Sequence, residues 1–141
     1  MAKTFFELSK TNVMVEFRIL GHEFVPEVIT SELSIIPNET WVKGDKINDR
    51  DITRQYSCWI LSTGYIESLD INDQIKEIIN KLLIKNDKLV EIKKKYNVIY
   101  RIDVVINIEN NEKPAIYLNS DIIEFAYSIG AEFDFDLYIY S

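Results

Sequence analysis

Hydrophobic positions recur along this chain with two different periods, and each change of period marks an element. At 13–20, Val13, Val15, Phe17 and Ile19 alternate with Met14, Glu16 and Arg18, the period-two pattern of a half-buried strand. Gly21 ends it. Pro26 then stands where a first helical residue tolerates a missing N–H, and Val25, Ile29 and Leu33 repeat at helical spacing until Pro37 stops the helix near Ile35. The polar stretch 38–55 holds only Trp41, Val42, Ile47 and Ile52 as apolar members and is too long for a simple turn, so an ordered excursion is expected. The run 56–62 is apolar on both faces and reads as a covered strand, although periodicity alone does not separate that from a buried turn of helix.

From Asp70 onward the period becomes helical. Ile71, Ile75, Ile78, Ile79, Leu82 and Leu83 form one stripe, with Asp70 as N-cap. A second helical piece, 87–96, turns Leu89 and Ile92 inward and ends in Lys93, Lys94 and Lys95, a favourable charge for a helix C-terminus. Period two returns at 97–109, with Val98, Tyr100, Ile102, Val104, Ile106 and Ile108 on one face and Arg101, Asp103, Asn107 and Glu109 on a wet one. A short strand at 115–118 and a helix capped by Asn119 or Ser120 and closed by Gly130 follow. The last element, 132–140, alternates Phe133, Phe135, Leu137 and Ile139 with Glu132, Asp134, Asp136, Tyr138 and Tyr140. Two strand–helix–strand halves, 13–62 and 98–140, predict an α+β, ferredoxin-like double βαβ sheet with right-handed crossovers and helices packed on one face.

Composition narrows the function classes. One domain, 1–141, is expected from 141 residues of which 47% are hydrophobic and 28% charged. No apolar run approaches the roughly 20 residues that span a bilayer, and the start, 1–10, lacks the features of a secretory signal, so a cytoplasmic protein without membrane attachment is expected. Sixteen basic against 23 acidic residues give a net charge of -7, which disfavours nucleic acid and favours a basic protein partner. The single Cys58, within an apolar run, reads as a buried inert thiol, with a reactive thiol as the alternative. No spacing of Cys, His, Asp or Glu suggests a metal or cofactor.

Several stretches taken together resemble a known family. Phe17-Arg18-Ile19-Leu20-Gly21, Pro26-Glu27-Val28-Ile29-Thr30, Pro37, Trp41-Val42-Lys43-Gly44-Asp45 and Trp59 are similar to the bacterial family called domain of unknown function 4279 (DUF4279). Leu118-Asn119-Ser120, Ile129-Gly130-Ala131 and the closing Asp and Tyr strand resemble that family's C-terminal pattern. The resemblance implies a fold and a bacterial origin and carries no activity to transfer. Some relatives are similar to small immunity proteins that neutralise a toxin, which is an analogy.

Two regions are candidate binding sites. Trp41, Lys43, Gly44 and Asp45, with Trp59 in the next strand, combine an aromatic plate, a cation, a flexible glycine and a carboxylate. The same residues equally suit a loop plugged onto the core and closed by a turn. Glu132, Asp134, Asp136, Tyr138 and Tyr140 share one face of the last strand and would be joined by Glu16, Arg18, Arg101 and Asp103 if the strands are neighbours. That face is either solvated sheet or a surface on which acids steer a basic partner and tyrosines supply contact area. His22, the one histidine, has no nucleophile marked beside it, and no catalytic residue is assigned. The expectation is a non-catalytic protein-interaction module, of the kind an immunity-type inhibitor would be. The alternative is a small-ligand-binding domain built on the loop around Trp41.

Overall fold

A computed structural model describes residues 10–140. Residues 1–9, on which most of the expectation about a secretory signal rests, lie outside the described residues. The chain runs through β1 (Asn12–Gly21), α1 (Pro26–Leu33), β2 (Glu39–Trp41), β3 (Ser57–Ser62) and β4 (Ile66–Glu67), then α2 (Ile71–Leu82), a 3-10 turn (Leu83–Lys85) and α3 (Asn86–Tyr96). It ends with β5 (Ile99–Glu109), α4 (Ser120–Ile129) and β6 (Ala131–Tyr140).

The main sheet order is β2-β3-β1-β5-β6, with β4 paired to the start of β1. β1 is antiparallel to both β3 and β5, β2 is antiparallel to β3, and β6 is parallel to β5. It follows that β2 runs parallel to β1 with β3 between them, and β5 runs parallel to β3 with β1 between them. These are the two interleaved split βαβ units of a ferredoxin-like sheet. The α+β class and one-sided helical cover are as expected, but the division into halves is corrected. The units are β1-α1-β2 and β3-α2/α3-β5, and α4-β6 is an extension that adds a sixth strand at the edge. The stretch 115–118 is not a strand: it makes a single parallel bridge, Ala115 to Asp70.

Local chemistry sets these boundaries. The Asp70 carboxylate accepts the Asn72 N–H at 2.9 Å and caps α2. Asn97 ends α3 in the left-handed conformation, φ 54°, which asparagine tolerates better than most residues. Lys93 reaches across from α3 to donate to the Gly130 carbonyl at 2.7 Å, closing α4. Gly21 is required by close approach, since a Cβ there would stand 2.8 Å from the Phe24 ring and 3.1 Å from Val98.

The core lies between the sheet and the helices, where Phe17, Trp59, Tyr100, Ile75, Leu82 and Ile29 are fully buried. Trp59 donates its indole N–H to Thr30 Oγ1 at 3.0 Å, tying β3 to α1. Asn72, 2% exposed, satisfies both ends of its amide by donating to the Tyr117 carbonyl and accepting the Asn119 N–H, which holds the segment before α4 against α2. No described helix is long and apolar enough to cross a membrane.

Two faces differ from the alternation-based expectation. The outer face of β5 is covered rather than wet, with Asp103, Val105 and Asn107 buried. Arginine guanidiniums lie over its first half, and Tyr65 hydrogen-bonds Asn107 in its second. Conversely, the apolar face of β6 opens to solvent, with Phe135, Leu137 and Ile139 exposed by 38%, 49% and 71%. Length explains this: α4 has 10 residues and so does β6, but a helix rises about 1.5 Å per residue and a strand about 3.3 Å. α4 therefore covers only the first half of β6.

Candidate functional site

The candidate residues lie on the face of the sheet away from the helices, in two adjoining parts. At the β2 end, Trp41 is 9% exposed and packs on Cys58, Ile60 and Leu20. Its indole N–H donates to the Tyr56 carbonyl at 3.1 Å. The Arg54 guanidinium lies 3.7 Å from the ring centre, with that of Arg18 at 5.8 Å. Gly44 takes φ 96°, and the Asp45 carboxylate accepts the Val42 N–H at 2.9 Å, so Gly-Asp builds a turn. A hairpin then returns the chain through Arg54 N–H to the Asp45 carbonyl at 2.7 Å and a bridge between Lys46 and Thr53.

Trp41, Gly44 and Asp45 thus have structural occupations. Lys43 does not: its backbone N–H donates to Ser57 Oγ, while its exposed ammonium meets His22 Nε2 at 2.9 Å. Beside this pair a shallow depression of about 300 Å³ is lined by Leu20, Gly21, His22, Tyr56, Ile99 and Arg101. Trp59 is not part of the site. It points to the opposite face of the sheet from Trp41, because it follows Cys58, Trp41's partner in register, and strand side chains alternate. Burial pushes the Cys58 thiol up to about 12, so at neutral pH it is an inert core group.

At the other end, β6 presents Glu132, Asp134 and Asp136 exposed and Tyr138 and Tyr140 half-buried. In register with β5, Arg101 stands beside Glu132, Asp103 beside Asp134, Val105 beside Asp136 and Asn107 beside Tyr138. Between the two ends runs a row of ion pairs. Arg18 contacts Glu16 at 2.9 Å and Asp103 at 3.1 Å, and Arg101 grips both oxygens of Asp103 at 2.6 and 3.1 Å. The hydrogen bonds that Arg101 donates to Asp103 are the main influence raising the already high Arg101 pKa. Glu16, Arg18, Arg101 and Asp103 therefore do join the strand face, as a self-neutralised row.

Among the described residues no group of three or more His, Cys, Asp and Glu could hold a metal ion. The surface combines tyrosines and exposed carboxylates along one edge with a cation-lipped apolar hollow near the other. Arg54 and Tyr56 went unmarked in the sequence because their meeting with Trp41 depends on the hairpin's return, which no local spacing signals.

Comparison with protein families matches residues 9–140 to Domain of unknown function (DUF4279). Comparisons with curated proteins and with solved structures find no match.

Proposed function

The chain belongs to the DUF4279 family, and we propose that it is a non-catalytic protein-interaction module whose acidic outer face covers a cationic surface on a partner protein. The observation that carries this is the charge balance across the sheet. Glu16 and Asp103 occupy Arg18 and Arg101, so the carboxylates with no cation across from them, Asp134 and Asp136, define the field of the exposed edge. Tyr138 and Tyr140 add contact area at small entropic cost. A net charge of -7 on 141 residues would steer a basic partner toward the molecule at a distance. An immunity-type inhibitor, blocking a toxin's basic surface in the cytoplasm, fits this chemistry and size. No bond-making residue is needed for it.

The test starts with affinity capture from the host lysate at low and high salt, followed by titration calorimetry with the captured protein. The double substitution Asp134→Lys, Asp136→Lys is expected to weaken binding by roughly 100-fold at low salt, and added salt is expected to weaken the wild-type complex. Both residues are exposed, so the fold should survive. Unchanged affinity in the double variant would remove the acidic face from the function.

One observation favours a second reading. The depression at Leu20, Tyr56 and Ile99 has apolar walls and Arg101 and His22 at its rim, with Lys43 beside His22, a combination suited to a small carboxylate with an apolar body. Trp41 packs on Leu20 and bonds Tyr56, so its fluorescence should report occupancy. Titration with benzoate is expected to change that emission in the wild type and to lose the change in the double variant His22→Ala, Lys43→Ala. A flat response in the wild type to benzoate and to aliphatic carboxylates would count against this reading.

A further inference from the structure

We propose that the open edge of β6 joins a second copy of this chain, antiparallel about a two-fold axis at Leu137, to make one continuous sheet across a dimer. Three features of β6 point to this. It is the terminal strand of the sheet and, among the described residues, pairs with β5 alone, so no described strand takes up the backbone N–H and C=O groups on its outer side. It has 10 residues, where edges that must stay single are usually short, bulged or broken by proline. Its helix-side residues Phe135, Leu137 and Ile139 are exposed to increasing degree toward the end, because α4 stops short of them.

The sequence of the strand selects the occupant and the register. In antiparallel pairing, directly opposed side chains share a face. A register that opposes even with odd positions would set Asp134 and Asp136 against the apolar residues, so only even-with-even registers are admissible. Centring the axis on Phe135 would oppose Asp134 with Asp136 of the second copy, twice over. Centring on Asp136 would oppose that residue with itself. Centring on Leu137 opposes Asp136 with Tyr138 and Asp134 with Tyr140 of the second copy, and Phe135 with Ile139 on the apolar face. Every carboxylate in the overlap then meets a phenol, and Leu137 packs on its own image. Centring on Tyr138 also avoids opposed acids but shortens the overlap. The strand is thus self-complementary in an isologous sense, as a two-fold interface requires. The exposed apolar residues that α4 leaves uncovered become the buried centre of the contact.

This pairing extends beyond the recognition of a basic partner and stands without it. It sets two acidic faces side by side on one sheet, and because each chain carries a net charge of -7, long-range repulsion should oppose it. Added salt should therefore tighten the dimer, the opposite of its effect on binding to a basic partner.

Sedimentation equilibrium of the full chain across a range of concentrations tests the proposal. A monomer–dimer equilibrium is expected, shifted at least tenfold toward monomer by Leu137→Asp and toward dimer by raising salt from low to physiological strength. Leu137 is half exposed in the single chain, so the substitution should leave circular dichroism unchanged. The register is read by oxidative cross-linking: Leu137→Cys should form a covalent dimer, whereas Phe135→Cys, opposed to Ile139, should not. A monomer at every concentration and salt would overturn the proposal, as would a dimer indifferent to Leu137→Asp or cross-linking equal at both positions. Loss of the dimer with intact binding of a basic protein would leave the proposed function standing, and the reverse result would leave the dimer standing.

Discussion

Replacing Trp59 by Ala is expected to lower the unfolding free energy by about 3–5 kcal/mol, whereas Trp41→Ala should cost roughly half as much. The two tryptophans stand one position out of phase in neighbouring strands, and that offset sends them to opposite faces. Trp59 is fully buried between β3 and α1, so its removal leaves a cavity that the rigid sheet cannot close, and Thr30 Oγ1 loses its donor as well. Trp41 lies on the outer face under the long side chain of Arg54, which can settle into part of the vacated space. Urea denaturation followed by circular dichroism measures both. The chain has two tryptophans, so each variant keeps one as a fluorescent reporter of its own face. Equal costs would mean that the two faces are equally well packed, against the burial seen here.

That contrast shows where the sequence was informative and where it was not. Period-two and helical patterns located β1, α1, β3, α2, α3, β5, α4 and β6 to within a few residues, because each buries one face against a layer and the alternation records it. β2 was hidden: Glu39–Trp41 is three residues long with only Trp41 buried, too few for a period to register. Without β2 the pattern makes β3 the strand that follows α1, and it therefore sets the second βαβ unit at 98–140. The interleaving of strands is a tertiary fact, set by which edges pair across long separations. Trp41, Lys43, Gly44 and Asp45 did fall together as a loop, since they are adjacent in the chain. Trp59 did not belong with them, and only the register of β2 on β3 could show that. Alternation also predicted a wet outer face for β5 and a covered inner face for β6. Both failed for the same reason: alternation says which side chains share a face, while cover depends on what lies over it. On β5 the long arms of Arg18 and Arg101 bury Asp103 from within the sheet; on β6 a helix of equal residue count is less than half the strand's length.

Asp103→Ala is expected to cost about 3 kcal/mol of stability, more than any exposed ion pair in the molecule should be worth. Its carboxylate is 11% exposed and is the acceptor shared by Arg18 and Arg101. Truncation leaves two guanidiniums on the sheet face with Glu16 as the one carboxylate left in the row, and that uncompensated charge is the main penalty. The arginines are themselves 22% and 30% exposed, which allows partial rehydration and holds the cost at the lower end of the range for broken buried pairs. Asp103→Asn, which keeps the shape and one acceptor, should cost about half as much. Added salt should recover part of the loss in the Ala variant, because the residual term is repulsion between two like charges. The same substitution also bears on function. With Asp103 gone, Arg101 is released beside Glu132 and near Asp134, and the acidic edge of β6 is partly neutralised from within. Affinity for a basic partner should then fall by several-fold in a variant that leaves every residue of β6 intact, measured on protein shown by circular dichroism to be folded. A destabilised variant with undiminished affinity would mean that the ion-pair row supports the sheet without shaping its field. Loss of both together is the outcome expected if neutralising the arginines is what leaves the edge acidic.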